Sequence, residues 1–191
     1  MRARIKRTIF FLLLIAPLAA HCQQAIQVPL AGTFEGPGFI TSAGQNSDAA
    51  ILKVLLNTKM KMGFGYDIAV APEALAQVKT LIVVLGASNK GLGAAGLNLD
   101  QEMERVKAIV SSAKSRGIKI VSMHTGGAGR RGESSNAIIS LCVPYSSIVV
   151  VTSDGNQDGF FTGLCAGKNI PLVQVKTITE AGGVVKELMK K

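Results

Sequence analysis

The chain has 191 residues, 48% of them hydrophobic and only 5% aromatic, with a formal net charge of +9. That length suits one domain burying roughly 70% of its unfolded surface. Scarce aromatic rings and the lack of a Lys/Arg tract beyond the first residues argue against nucleic acid, which needs stacking platforms or a basic stripe.

Residues 1–22 read as an export signal. Four cations (Arg2, Arg4, Lys6, Arg7) precede the apolar run Ile9–Ala16, which is shorter than the roughly 20 residues of a spanning helix. Removing those cations leaves +5 of the nine charges. The expected location is secreted or periplasmic. Cys22 offers a site for a lipid anchor, the only membrane attachment expected, although His21 stands where a small residue is usual. Residues 23–37, polar and containing Gly and Pro, read as a tether. Residues 38–191 read as one domain.

Within that domain, short β-branched runs alternate with amphipathic stretches. A strand is expected at Phe39–Thr41, then a helix from about Ser47 with Ile51, Leu52, Leu55 and Leu56 on one face. A second strand is expected at Asp67–Val70, and a brief helix from Pro72. Thr80–Leu85 is an unbroken apolar run, as in a strand buried on both faces. Asn98 and Gln101 have capping-box spacing for a helix whose stripe is Met103, Val106, Val110 and Ala113, with Glu102 and Arg105 mainly off it. Gly117 suits a left-handed cap.

Further strands are expected at Ile118–Met123, Ile148–Thr152 and Leu172–Val175. Helices follow them from Ser134, from Asp158 as cap, and from Thr177 with Glu180 in capping-box spacing. Six βα units with short connections predict a three-layer α/β/α sandwich. Its sheet is mostly parallel, of five to six strands, and Rossmann-like. The favoured strand order is the flavodoxin-like 2-1-3-4-5, with the sixth strand beside the fifth. Ligands of such sheets bind beyond the strand C-termini, at the switch point. Here that is the crevice between loops Ser42–Asn46 and Gly86–Gly96.

Several groups gather at this edge. Ser42, Ser88, Asn89, Lys90, His124, Arg130, Arg131 and Asp154 are the expected contacts of a small polar or anionic molecule, since Arg presents a planar donor fork to carboxylate or phosphate. His124 is the candidate acid/base of an alternative hydrolase or transferase; a protein-interaction module is the third reading. Asp154-Gly-Asn-Gln-Asp-Gly159 matches the first half of a calcium loop, so Asp154, Asn156 and Asp158 are candidate Ca2+ ligands. Cys165, however, stands where a bidentate Glu belongs. Gly91-Leu-Gly-Ala-Ala-Gly96 has the G-x-G-x-x-G spacing, but the next helix is expected only near Asp100, so it reads as a flexible loop rather than a dinucleotide site. Cys142 and Cys165 read as buried thiols, with a disulfide open to an exported protein.

Together, Phe39-Ile-Thr-Ser-Ala-Gly-Gln45, Gly86–Gly96, His124–Gly132 and Asp154–Phe161 resemble domain of unknown function family 6305. The resemblance spans the domain from about Gly38. It implies a small exported or lipid-anchored bacterial protein and supports a site at the sheet edge without naming an activity or a ligand.

Overall fold

A computed structural model describes residues 28–190; the expected export signal, Cys22 and the first part of the tether lie outside the described residues. The β-branched runs form six strands: β1 (Gly38–Ala43), β2 (Gly65–Tyr66), β3 (Thr80–Leu85), β4 (Lys119–His124), β5 (Ile148–Thr152) and β6 (Leu172–Val175). All pair in parallel, in the order β2-β1-β3-β4-β5-β6. The helices are α1 (Asp48–Lys53), α2 (Asn89–Ala94), α3 (Leu99–Ser115), α4 (Glu133–Cys142), α5 (Phe160–Ala166) and α6 (Ile178–Leu188).

Strand alternation divides the core in two. On β3, Leu81, Val83 and Leu85 face a layer made by α3, α4 and α5, with Val110, Ile138 and Phe161. Ile82 and Val84 face the opposite layer, with Leu52, Leu56, Val185 and Leu188 of the α1 and α6 side. A strand with helices on both faces must be apolar at every position, which is why Thr80–Leu85 reads as an unbroken run.

The helix starts follow local chemistry. Asn98 accepts from the Gln101 N–H at 2.9 Å while the Gln101 side chain accepts from the Asn98 N–H at 3.0 Å, a complete capping box. Thr177 accepts from the Glu180 N–H. Gly117 closes α3 at φ +71°, a conformation glycine adopts without a Cβ penalty.

Four expectations need correction. The second strand pairs at Gly65–Tyr66, not Asp67–Val70, because the Asp67 side chain accepts from the Ala69 N–H and turns the chain. Gly91–Gly96 is not one loop: Ser88 accepts from the Gly91 N–H and starts α2 at Asn89. On the expected face of the first helix Leu52, Leu55 and Leu56 are buried but Ile51 is 52% exposed; past Lys53 the helix runs on as a π-helical segment, Val54–Lys59, with the Met60 N–H bonded to the Leu55 carbonyl. The last residues of the expected tether belong to the packed domain: Phe34 is fully buried and bridges Met189.

Candidate functional site

The expected crevice between β1 and β3 is present, but the chain fills it. Gly44 has φ +106°, and a side chain there would collide with the Gly86 carbonyl. Only glycine permits both the conformation and the approach. The Ser88 N–H then donates to the Gly44 carbonyl at 2.8 Å, so the two loops touch. Below them the buried Asn46 amide lies within donor range of three carbonyls, Ala43 at 3.4 Å, Val84 at 3.0 Å and Gly86 at 2.9 Å. Ser42 is buried too, its Oγ accepting the Asn46 N–H at 2.9 Å. It does not reach the open cleft.

Glu102 completes this plug. Its side chain is fully buried, although its spacing placed it off the α3 stripe. Oε1 accepts from the Gly44 N–H and Arg105 Nη2, and Oε2 from Gln45 Nε2 and Arg105 Nε, at 2.7–3.1 Å. Arg105 Nη2 also donates to the Ser42 carbonyl at 2.7 Å. Burial works to raise the Glu102 pKa, but the bonds from Arg105, Gly44 and Gln45 outweigh it and hold the carboxyl below its ordinary value. Sequence reasoning missed Glu102, Arg105, Gln45 and Asn46. The one available signal was the i,i+3 acid–base spacing of Glu102 and Arg105, which exposed helix faces share.

The open space lies one strand along, between the loops after β3 and β4. A cleft of about 350 Å³ is lined by Ser88, Asn89, Arg130, Glu133 and Ser134, with Arg131 at one wall. The Arg130 side chain is 42% exposed. Its guanidinium makes only a 3.4 Å contact with Ser47 Oγ and a 3.9 Å one with Asp48. Gly132 gives α4 no side-chain cap, so the first N–H groups of that helix lack an intrahelical partner. Ser135 Oγ accepts the Ala87 N–H at 3.0 Å and ties the two walls together. Lys90 is exposed on α2, outside this lining.

The other predicted residues take different positions. His124 is fully buried against Phe161, ring centroids 5.4 Å apart. Its Nδ1 faces the Leu85 carbonyl at 3.0 Å and its Nε2 the Gly127 carbonyl at 3.1 Å. Both nitrogens face backbone carbonyls inside the protein, one of which a neutral ring can bond with its single N–H, so the ring holds the β4 loop to the end of β3 and does not line the cleft. Arg131 straps that loop to the next one. It donates to the Gly155 carbonyl, to Asn136 Oδ1 at 2.7 Å and in bidentate fashion to Asp158, and it stacks 4.5 Å over the Phe160 ring.

The candidate calcium ligands do not form one oxygen cage. Asn156 Oδ1 accepts from the Phe161 N–H at 2.9 Å and caps α5. Asp158 pairs with Arg131, whose hydrogen bonds lower its pKa ahead of the Phe160 N–H. The Asp154 pKa is lowered by the nearby Thr152 hydroxyl and then by backbone N–H groups including Ala128. The hydroxyl lies close without the geometry of a full hydrogen bond. Among the described residues no three His, Cys, Asp or Glu side chains converge as a metal site. Cys142 and Cys165 are free, buried thiols; burial pushes them up to about 12 and about 11. No described helix is long and apolar enough to cross a membrane.

No curated protein and no solved structure matches this chain. One family profile does, over residues 35–189, a span that includes the loops of both the plug and the cleft. The chain therefore belongs to the domain of unknown function family DUF6305.

Proposed function

We propose that the domain binds a small polar, anionic molecule in the cleft between the β3 and β4 loops, and that it does so after export. The observation that carries this reading is the half-exposed Arg130 guanidinium on the wall of a polar cleft at the C-terminal edge of the sheet. Ligands of open α/β sheets collect at that edge. A guanidinium held only at 3.4–3.9 Å is available to a carboxylate or phosphate oxygen. The unpartnered N–H groups at the start of α4 add a positive end to the same wall. Ser88, Asn89 and Ser134 supply neutral donors and acceptors. Glu133 at the mouth opposes a second negative charge, so a monoanion with hydroxyl or amino groups fits best.

The test is native mass spectrometry of the chain purified from its own host without chelator. A retained anionic mass that Arg130→Ala abolishes, with folding unchanged, is the expected outcome. Equal retention by Arg130→Ala would place binding elsewhere and overturn the reading. A bare polypeptide mass in both proteins would count against it as well.

A further inference from the structure

The opposite, N-terminal edge of the sheet carries its own charged cleft. It measures about 310 Å³ and is lined by Thr33, Glu35, Lys79, Gly117, Lys119 and Lys190. The three lysines come from separate parts of the chain: before β3, at the start of β4 and after α6. The backbone fixes their spacing. The Lys79 N–H donates to the Pro37 carbonyl at 2.9 Å, and the Lys119 N–H to the Lys79 carbonyl at 3.0 Å. Lys119 Nζ donates to the Thr33 carbonyl at 2.7 Å and sits 4.9 Å over the Phe34 ring, so its ammonium is aimed rather than free to wander. Lys190 pairs with Glu35.

We infer that this cleft is a second binding site, for a phosphate group, with Lys79, Lys119 and Lys190 as its cations and Glu35 as the internal anion that a ligand displaces. Among the described residues lining the cleft, three lysines stand against one carboxylate, a surplus of two positive charges. A phosphate monoester carries about −1.5 to −2 near neutrality and matches that surplus, where a carboxylate would not. Clefts lined by one sign of charge concentrate counter-ions of the other. Lys190, followed by Lys79 and Lys119, holds the Glu35 carboxyl below its ordinary value against some desolvation, as expected where all three cations act on one point. Free phosphate and a lipid phosphate headgroup share this chemistry.

The experiment titrates the full chain with inorganic phosphate, followed by NMR shifts of the Gly117 and Lys119 amides. It then measures flotation with phosphatidylcholine vesicles with and without phosphatidic acid. Lys79→Gln should weaken binding about threefold and Glu35→Gln tighten it by about the same factor, the scale of one exposed charge contact. The Glu35–Lys190 pair is half exposed on both sides, so Glu35→Gln leaves folding intact. Lys107→Gln on α3 removes the same charge away from the cleft and should change nothing. A response to inorganic phosphate that follows these variants assigns a soluble ligand. A response only to phosphatidic-acid vesicles that follows them assigns a headgroup. If Lys107→Gln weakens binding as much as Lys79→Gln, or Glu35→Gln leaves it unchanged, the surplus is diffuse surface charge and the site is overturned.

Discussion

The gap between β1 and β3 is closed by the side chains of Gln45, Asn46, Glu102 and Arg105, whereas the neighbouring gap between β3 and β4 stays open and polar. Both lie at the same edge of one sheet, and both are framed by motif loops. They differ in where their polar groups are spent. In the first gap each Glu102 oxygen accepts two bonds and the Asn46 amide serves several carbonyls, so a ligand would find every partner taken. In the second, Arg130 and the first N–H groups of α4 have no strong partner. A topological switch point thus marks where strand order opens a crevice. Whether the crevice is a site depends on what the sequence puts into it.

The largest expected effect tests the closed gap. Glu102→Gln removes the carboxylate facing Arg105 and should destabilise the fold by about 3 kcal/mol in urea unfolding, with the open cleft's ligand affinity little changed in the folded fraction. A loss under about 0.5 kcal/mol would mean the network adds nothing to stability. The pH dependence sharpens the point. The Glu102 pKa is lower in the folded than in the unfolded state. Its stabilisation is therefore complete above the ordinary glutamate value of about 4.3 and lost as pH falls through the folded pKa. The stability gap between wild type and Glu102→Gln should be constant near neutrality and shrink on acidification; a gap that widens there contradicts the assignment.

Asn46→Ala comes next. It strips the donor from the Val84 and Gly86 carbonyls and should cost about 1–3 kcal/mol by the same unfolding measurement. Arg131→Ala, at the border of the open cleft, should cost about 1 kcal/mol, since its Asp158 partner is 61% exposed and screened. Its clearer signature is faster amide exchange across Gly126–Gly132, the loop that Arg131 straps to the β5 side. Arg130→Ala should change stability by less than about 0.5 kcal/mol while abolishing ligand retention. The reverse result, a large stability loss with binding intact, would erase the contrast between the two gaps.

Apart from β2, which pairs just before the expected Asp67–Val70, the strand positions and their order were legible in the sequence, because a parallel sheet covered on both faces imposes continuous apolar runs and the connections between them are short. The starts of α3 and α6 were legible because capping is local, within four residues. The plug was not. Glu102 lies 58 residues from Gly44 and 57 from Gln45, and a buried acid looks like a solvated one until its partners are brought beside it. The calcium-like run misled for a related reason. Asp154, Asn156 and Asp158 have the right spacing, but the short 3-10 turn Ser153–Asn156 directs Asn156 inward to cap α5, and Arg131 claims Asp158. His124 has the composition of a site residue, yet both its nitrogens face backbone carbonyls, that of Leu85 at the end of β3 and that of Gly127 in the loop after β4. Spacing alone locates residues on an edge; it does not tell which of them spend their polar atoms on the protein itself.

Phe34 bridges Met189, and the Lys190 N–H donates to the Phe34 carbonyl. The beginning and the end of the described chain are thus stitched together at the foot of the sheet, with the Arg130 cleft at its head. A fusion or surface linkage made through either end would present the cleft outward. For the same reason the fold is suited to circular permutation: a short linker joining the two ends, with the chain reopened at the exposed turn around Gly167–Asn169, would disturb neither gap.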